Sequence, residues 1–176
     1  MTLLVINNIG MALDWLLFSS FTKQAIHKPV FVVSLPRTGT TNLLQALNSP
    51  SMPFTSMHLW EILLAPSIVQ KRMIRWCWRR SPHRLQGWVR RIDERVFKSL
   101  NTVHHASLFL PEEDDLMLMW SFSTAYMGFF YPEADVMRAH FRFDEAISER
   151  QKERIMKRYK RLVQRHLYAF RAGDNV

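Results

Sequence analysis

Apolar residues along this chain recur mainly at the three- and four-residue spacing of amphipathic helices. This spacing predicts a helix over residues 9–24, and helical spacing resumes at Leu59 and continues through the rest of the sequence. Four prolines divide that later part into separate helices: Pro66, Pro82, Pro111 and Pro132. The best-defined helix begins at a capping box made by Ser148 and Gln151 and ends near Gly173.

One segment breaks the helical pattern. Residues 29–34, Pro-Val-Phe-Val-Val-Ser, form a short β-branched run that is typical of a strand buried on both faces. A turn at residues 36–41 and a helix over residues 42–47 are predicted to follow it. Since one strand does not make a sheet, the pattern predicts either a mainly helical protein or an α/β fold that is incomplete in this chain.

The chain has 176 residues, which suits one domain of ordinary size. Its single cysteine, Cys77, excludes an intrachain disulfide and a multi-cysteine metal cage, and the histidines lack metal-ligand spacing, so we expect no metal. The N-terminal segment has no basic flank and carries Asp14, which favours core packing and a cytoplasmic location over a secretory signal. We expect its helix to bury a set of apolar side chains: Met11, Leu13, Trp15, Leu16 and Phe18.

Basic residues outnumber acidic ones by 24 to 15, and almost the whole excess lies in one segment. Between Lys71 and Lys98, ten basic residues are opposed only by Asp93 and Glu94, which gives this segment a net charge of +8. Its arginines are interleaved with three tryptophans: Trp76, Trp78 and Trp88. Acidic or phosphorylated partners are therefore electrostatically favoured.

Three interpretations of residues 71–98 stay open. A helical hairpin with solvated arginines and half-buried tryptophans needs no function. Arginines beside interfacial tryptophans are also typical of peripheral contact with an anionic membrane, and a basic cap over a cofactor or an acidic acceptor is the other functional possibility. No nucleic-acid-binding motif accompanies the charge, so we expect no nucleic-acid partner.

The most specific local signal is the loop after the predicted strand, Ser-Leu-Pro-Arg-Thr-Gly-Thr-Thr at residues 34–41. A strand that turns directly into a helix aims backbone amides and the positive end of the helix dipole at one point, which makes an anion site. Gly39 allows close approach of a ligand, and Arg37 adds a forked cation suited to phosphate. The alternative is a polar turn in which Arg37 is merely solvated.

The loop partly matches the nucleotide-binding pattern G-x-x-x-x-G-K-[ST]. Gly39 and Thr41 are in register, whereas Ser34 replaces the first glycine and Thr40 replaces the lysine. Because that lysine reaches the terminal phosphates of a nucleotide, its replacement disfavours a nucleotide kinase and leaves phosphate binding intact.

Residues 28–41, Lys-Pro-Val-Phe-Val-Val-Ser-Leu-Pro-Arg-Thr-Gly-Thr-Thr, resemble the 5′-phosphosulfate loop of sulfotransferases that use 3′-phosphoadenosine 5′-phosphosulfate (PAPS). The similarity is to a bacterial-type branch whose signature reads P-[IV]-F-[IV]-[VI]-G-x-P-R-[ST]-G-T-T, from which Ser34 departs. His-Leu-Trp-Glu at residues 58–61 is similar to the family's W-E segment. Residues 104–114 resemble its H-x6-P-E-E block, so the resemblance covers about residues 28–115.

The resemblance implies a P-loop-like α/β sulfotransferase fold, PAPS as cofactor, and sulfonate transfer to a hydroxyl or amine of a small-molecule or lipid-like acceptor. It implies one cradle for the phosphosulfate: Pro36, Arg37, Thr38, Gly39, Thr40 and Thr41. Arg37 would also stabilise charge on the departing oxygen. The base that activates the acceptor would be Glu113, Glu112 or His104. By residue type alone, acids after Pro111 are more typical of a first helical turn.

The family also needs a second site, for the 3′-phosphate, on a strand that would follow the helix of residues 148–170. We therefore expect residues 1–176 to be one incomplete sulfotransferase-like domain, inactive if the later half is missing. The alternative function is that of a non-catalytic basic helical protein that associates with anionic membranes through residues 71–98. The enzymatic interpretation depends on an oxyanion cradle at residues 36–41, between a strand and a helix.

Overall fold

The computed structural model describes residues 2–33, 39–49, 51–98, 106–131 and 139–170. Regular structure within these ranges is almost entirely helical. The α-helices are α1 (Thr2–Leu17), α2 (Thr40–Leu47), α3 (Leu59–Leu63), α4 (Ile68–Arg80), α5 (His83–Phe97), α6 (Met127–Phe130), α7 (Phe143–Ala146) and α8 (Glu149–Ala169). Two 3₁₀ helices cover Ser19–Lys23 and Asp114–Ser121, and residues 139–141 are helical as well. None of the helices in these ranges is long and apolar enough to cross a membrane.

The predicted α/β fold is wrong for the described part of the chain. Residues 29–33 lie outside any helix or ladder, and Phe31 and Val33 are 70% and 92% exposed. Within the described ranges the β-pairing is an isolated antiparallel bridge between His58 and Pro111. Strand formation needs a partner backbone, and no described segment offers one to this apolar run, so its β-branched residues stay unpaired. Ser34, the last residue of the predicted strand, lies outside the described residues.

The N-terminal helix starts earlier than predicted, and it buries its polar face. Asn7, Gly10 and Asp14 are its buried residues, while Leu16 is 80% exposed. A Cβ atom on Gly10 would lie 2.7 Å from Ser67 Oγ, so the glycine permits a close approach of α1 to the start of α4. The prediction that this helix packs through its apolar residues is therefore wrong for most of them.

Polar contacts hold α1 against α4. The Asp14 carboxylate accepts the backbone amides of Ile68 and Val69, each at 3.1 Å, and so caps the N-terminus of α4 from another helix. Its Oδ2 atom also accepts from Arg165 Nε at 2.8 Å. These groups are all buried or partly buried. The hydrogen bonds of the cap and of the ion pair therefore replace those that the groups would otherwise make with water.

The apolar core lies against α8. One cluster consists of Met57, Ile62, Met117, Leu118 and Leu162, and a second of Phe21, Ile68, Tyr168 and Ala169. The capping box predicted at the start of α8 is confirmed, with the amide of Ser148 donating to Gln151 Oε1 at 3.3 Å. This helix therefore supplies residues to both clusters and organises the described core.

Candidate functional site

The loop that carries the strongest sequence signal leads into α2, as predicted. Gly39 is the N-cap residue of that helix with φ 88°, and its carbonyl accepts the amides of Asn42 and Leu43 at 3.1 and 3.3 Å. The amides of residues 39–41 therefore belong to the first turn, where no helical carbonyl precedes them. A backbone with this φ favours glycine, which explains the residue type at the turn.

The rest of the predicted cradle is not described. Pro36, Arg37 and Thr38 lie outside the described residues, and so does the side chain of Thr41. The helix start is thus confirmed, whereas the assignment of PAPS to this loop stays a prediction. His104, one of the predicted bases, also lies outside the described ranges.

The two other segments that carry the sulfotransferase resemblance lie side by side, although α4 and α5 separate them in the sequence. The His58–Pro111 bridge joins them. Around it, the amide of Leu59 donates to the carbonyl of Leu110 at 3.0 Å, and the amide of Glu112 donates to the carbonyl of Met57 at 2.9 Å. The structure therefore fixes the start of α3 beside the acidic run that follows Pro111.

Glu61, the acid of the predicted W-E segment, is fully buried among cations. Its carboxylate accepts from Lys71 Nζ at 3.1 Å, from His166 Nδ1 at 3.2 Å and from the amide of His58 at 2.9 Å. Burial alone would raise the pKa of Glu61, but Lys71 and His166 outweigh burial and hold that pKa well below its usual value. We call Glu61, Lys71 and His166 the buried charge cluster.

The protonation of the buried charge cluster follows from its geometry. Burial lowers the pKa of His166 and of Lys71, and the nearby Glu61 carboxylate opposes both shifts. Because a carboxylate only accepts hydrogen bonds, His166 carries a proton on Nδ1, and its other ring nitrogen lies 3.1 Å from Thr55 Oγ1. Lys71 was counted in the basic segment, but it is an internal counter-ion and adds nothing to the surface.

The acidic run after Pro111 forms a second cluster, at the start of the 3₁₀ helix Asp114–Ser121. The hydroxyl of Tyr126 donates to Glu113, and the hydroxyl of Tyr159 donates to Asp114. Thr124 Oγ1 donates to Asp115 at 3.3 Å. We call Glu113, Asp114 and Asp115 the acidic cluster. These hydroxyl groups hold the carboxylates in place from two other parts of the chain, residues 124–126 and α8.

Asp115, in the acidic cluster, has a raised pKa. Burial, reinforced by the neighbouring charge of Glu113, raises the pKa of Asp115 to about 6. A carboxylate with a pKa in this range is a stronger base than an ordinary one, which suits it to take a proton from a hydroxyl. Asp115 was not among the predicted bases, Glu112, Glu113 and His104, although four consecutive acids already indicated mutual repulsion at this position.

The basic segment forms two consecutive helices, α4 and α5, and their tryptophans differ in exposure. Trp78 packs against Phe109 with ring centroids 5.4 Å apart, whereas Trp76 and Trp88 are 56% and 58% exposed. Arg80 stacks over the Trp76 ring at 4.2 Å. A shallow cavity of about 440 Å³ on α4 has five lining residues: Arg72, Arg75, Trp76, Arg79 and Arg80.

One of the two acids in the basic segment points inward. Asp93 is buried and accepts from Ser107 Oγ at 2.6 Å and from the amide of Leu108 at 2.8 Å. It thereby ties α5 to the segment that pairs with α3. The exposed arginines of α4 and α5 are therefore opposed within this segment only by Glu94, the exposed one of its two acids.

No family model, curated protein or solved structure matches this chain. No three His, Cys, Asp or Glu side chains converge as a metal site would require in the described ranges. The sulfotransferase resemblance therefore stays a prediction, and it rests on residues 28–41, 58–61 and 104–115.

Proposed function

We propose that this chain is a sulfotransferase-like protein that binds the phosphosulfate group of PAPS and serves sulfonate transfer to a hydroxyl or amine acceptor. The observation that carries the proposal is the pairing across the His58–Pro111 bridge, which brings together two of the three segments that resemble the family. The third segment supplies the phosphosulfate contact at the N-terminus of α2.

The chemistry of residues 39–41 fits an anionic ester. Their amides occupy the first turn of α2, where the helix dipole favours negative charge, and the space where a Gly39 side chain would stand is open to 4 Å. Residues 29–33 form no strand, so the arrangement expected at this loop, a strand that turns directly into a helix, is not found, and the proposal rests on the amides and the dipole of α2 alone. PAPS, when bound, would supply the sulfonate, and Arg37 would add a cation beside it.

The acidic cluster fits the other half of the reaction. A hydroxyl acceptor must lose its proton as it attacks, and a carboxylate within reach of the oxygen takes that proton. Asp115, with its pKa raised to about 6, joins Glu112, Glu113 and His104 as a candidate base. We place the proton on a carboxylate oxygen of Asp115 or Glu113.

Calorimetric titration with adenosine 3′,5′-bisphosphate tests the cofactor half of this proposal. Gly39→Ala should weaken binding about tenfold, because a Cβ atom disfavours φ 88° by roughly 1–2 kcal/mol. Gly87→Ala is the matched control, since a Cβ atom there meets nothing within 4 Å. Arg37→Ala should abolish the signal. If the wild-type chain does not bind, or if both glycine variants bind equally well, the proposal is wrong.

A second candidate function is peripheral association with anionic membranes in a cytoplasmic setting. It is favoured by the exposure of Trp76 on α4 and of Trp88 on α5, each in a helix rich in arginine, a combination that suits the interface of an anionic bilayer. Phosphatidylserine vesicles should therefore sediment the protein, and purely zwitterionic vesicles should not.

Neutralising exposed arginines of α4 and α5 should release the protein from such vesicles, at about 1 kcal/mol for each charge. The test variant changes four arginines to glutamine: Arg79, Arg80, Arg84 and Arg91. Arg90 is left intact because its guanidinium stacks over Phe109 at 5.4 Å. The matched control neutralises four exposed cations outside α4 and α5: Lys23, Lys28, Arg150 and Lys160. Equal losses in both variants would mean non-specific charge attraction.

A further inference from the structure

A groove of about 860 Å³ lies between α1, the 3₁₀ helix Asp114–Ser121 and α8. Its volume falls in the range of small-molecule sites in proteins. Met117 and Leu162, both 3% exposed, belong to its lining, and so do Trp15, Trp120 and Ile155. The groove therefore offers an apolar surface that is continuous with the protein core.

The charged part of the groove comes from one face of α8. Arg154, Lys157, Arg158 and Arg161 line it at the three- and four-residue spacing that places side chains on the same side of a helix. No acidic side chain is among the described residues that line it. The positive charge of this wall is therefore uncompensated within the groove.

Two contacts show how that charge is arranged. Arg161 stacks over the Trp15 ring at 4.7 Å, so one cation is fixed against the apolar lining. At the inner end, Arg165 is already paired with Asp14 at 2.8 Å, and burial, with a smaller contribution from the charge of Arg161, lowers the pKa of Arg165. Arg154 and Arg158 are exposed, and no described carboxylate pairs with either of them.

We propose that this groove binds an amphipathic anion, namely a molecule with a single apolar chain that ends in a carboxylate, sulfate or phosphate group. The apolar lining takes the chain, and the cations of α8 take the acidic end. An uncharged lipid would leave the cations without a partner, and a small inorganic anion would leave the apolar surface in water. This site is independent of the PAPS proposal, since it uses neither α2 nor the acidic cluster.

Fluorescence titration with 11-(dansylamino)undecanoate, kept below its micelle concentration, tests the proposal. We expect saturable binding that dodecanoate displaces and that dodecanol and butyrate do not. Arg154→Gln with Arg158→Gln should weaken probe binding about tenfold, as expected for the loss of charge-assisted hydrogen bonds. Arg150→Gln with Lys160→Gln, which removes the same charge from α8 outside the groove, should leave binding unchanged.

A second variant blocks the groove without touching its charge. Ala12 is exposed on α1 and lines the groove, so Ala12→Trp should fill the site and abolish probe binding while the thermal unfolding temperature stays the same. Displacement by dodecanol as strong as by dodecanoate would overturn the assignment of an anion. Unchanged binding in Ala12→Trp, or equal loss in both charge variants, would overturn the groove itself. Gly39→Ala should have no effect here, which separates this proposal from PAPS binding.

Discussion

Two acids on either side of the His58–Pro111 bridge have opposite electrostatic surroundings. Glu61 lies among Lys71 and His166, which hold its pKa well below the usual value, whereas Asp115 lies beside Glu113 and has its pKa raised to about 6. Both are withdrawn from water, so burial alone does not decide their charge. At Glu61 the charges of Lys71 and His166 overcome the effect of burial, whereas at Asp115 burial is the main cause of the raised pKa and the charge of Glu113 adds to it. This difference suits Glu61 to a stabilising role and Asp115 to the proton transfer that we propose.

The largest change in stability is expected from a substitution at Glu61. Glu61→Gln leaves the buried ammonium of Lys71 without its counter-ion, so we expect a loss of about 3–5 kcal/mol in the free energy of unfolding. Urea denaturation followed by circular dichroism measures it. Glu94→Gln, at an exposed position of α5, is the control and should change stability by less than about 0.5 kcal/mol. Similar losses in both variants would show that the buried charge cluster has no special role.

Gly10 of α1 lies against the capping box that begins α4, the helix that carries Lys71. A substitution at Gly10 therefore tests how closely α1 must approach that helix. Gly10→Ala would place a Cβ atom 2.7 Å from Ser67 Oγ and 2.9 Å from Gln70 Oε1, which should cost about 1–3 kcal/mol by displacing the capping box of α4. The same denaturation assay applies. Gly87→Ala, in the interior of α5, should instead stabilise the protein by about 0.5–1 kcal/mol. A neutral Gly10→Ala would mean that α1 packs less closely than described.

Asp115 gives the smallest effect and the opposite sign. Its pKa is raised on folding from about 3.8 to about 6, so its contribution to stability is fully present below pH 4 and is lost as the pH rises through 6. Asp115→Asn should therefore stabilise the protein at pH 7 by about 1 kcal/mol, a value discounted for solvent screening, and should have no such effect at pH 4. Thermal unfolding at both pH values measures this difference, and a gain that is the same at both would contradict the raised pKa.

Local signals in the sequence were sufficient for the helices with clear termini. The capping box at Ser148 and the glycine before α2 each fix a helix start from neighbouring residues alone, and both starts are confirmed. The strand over residues 29–34 failed because pairing is non-local: a β-branched run indicates a strand only where another backbone lies beside it, and no described segment does.

In the candidate site, too, features formed by neighbouring residues could be predicted, whereas features formed by residues far apart in the sequence could not. The acidic run was visible as four adjacent carboxylates, and its repulsion could have indicated Asp115. The buried charge cluster could not be predicted in this way, because His166 comes from the opposite end of the chain and carries no spacing signal relative to Glu61. The apolar pattern of α1 predicted the wrong buried face for a related reason. Asp14 is buried with its partner Arg165, which lies 151 positions away in the sequence.

The contact between Asp14 and Arg165 has a consequence for synthesis on the ribosome. These residues are 151 positions apart, so at 5–20 residues per second the carboxylate that caps α4 emerges about 8–30 seconds before its guanidinium partner. During that interval α1 and α4 can meet only with an acid still exposed to water at their junction. The contacts among α1, α4 and α8 can therefore be completed only after α8 has left the exit tunnel.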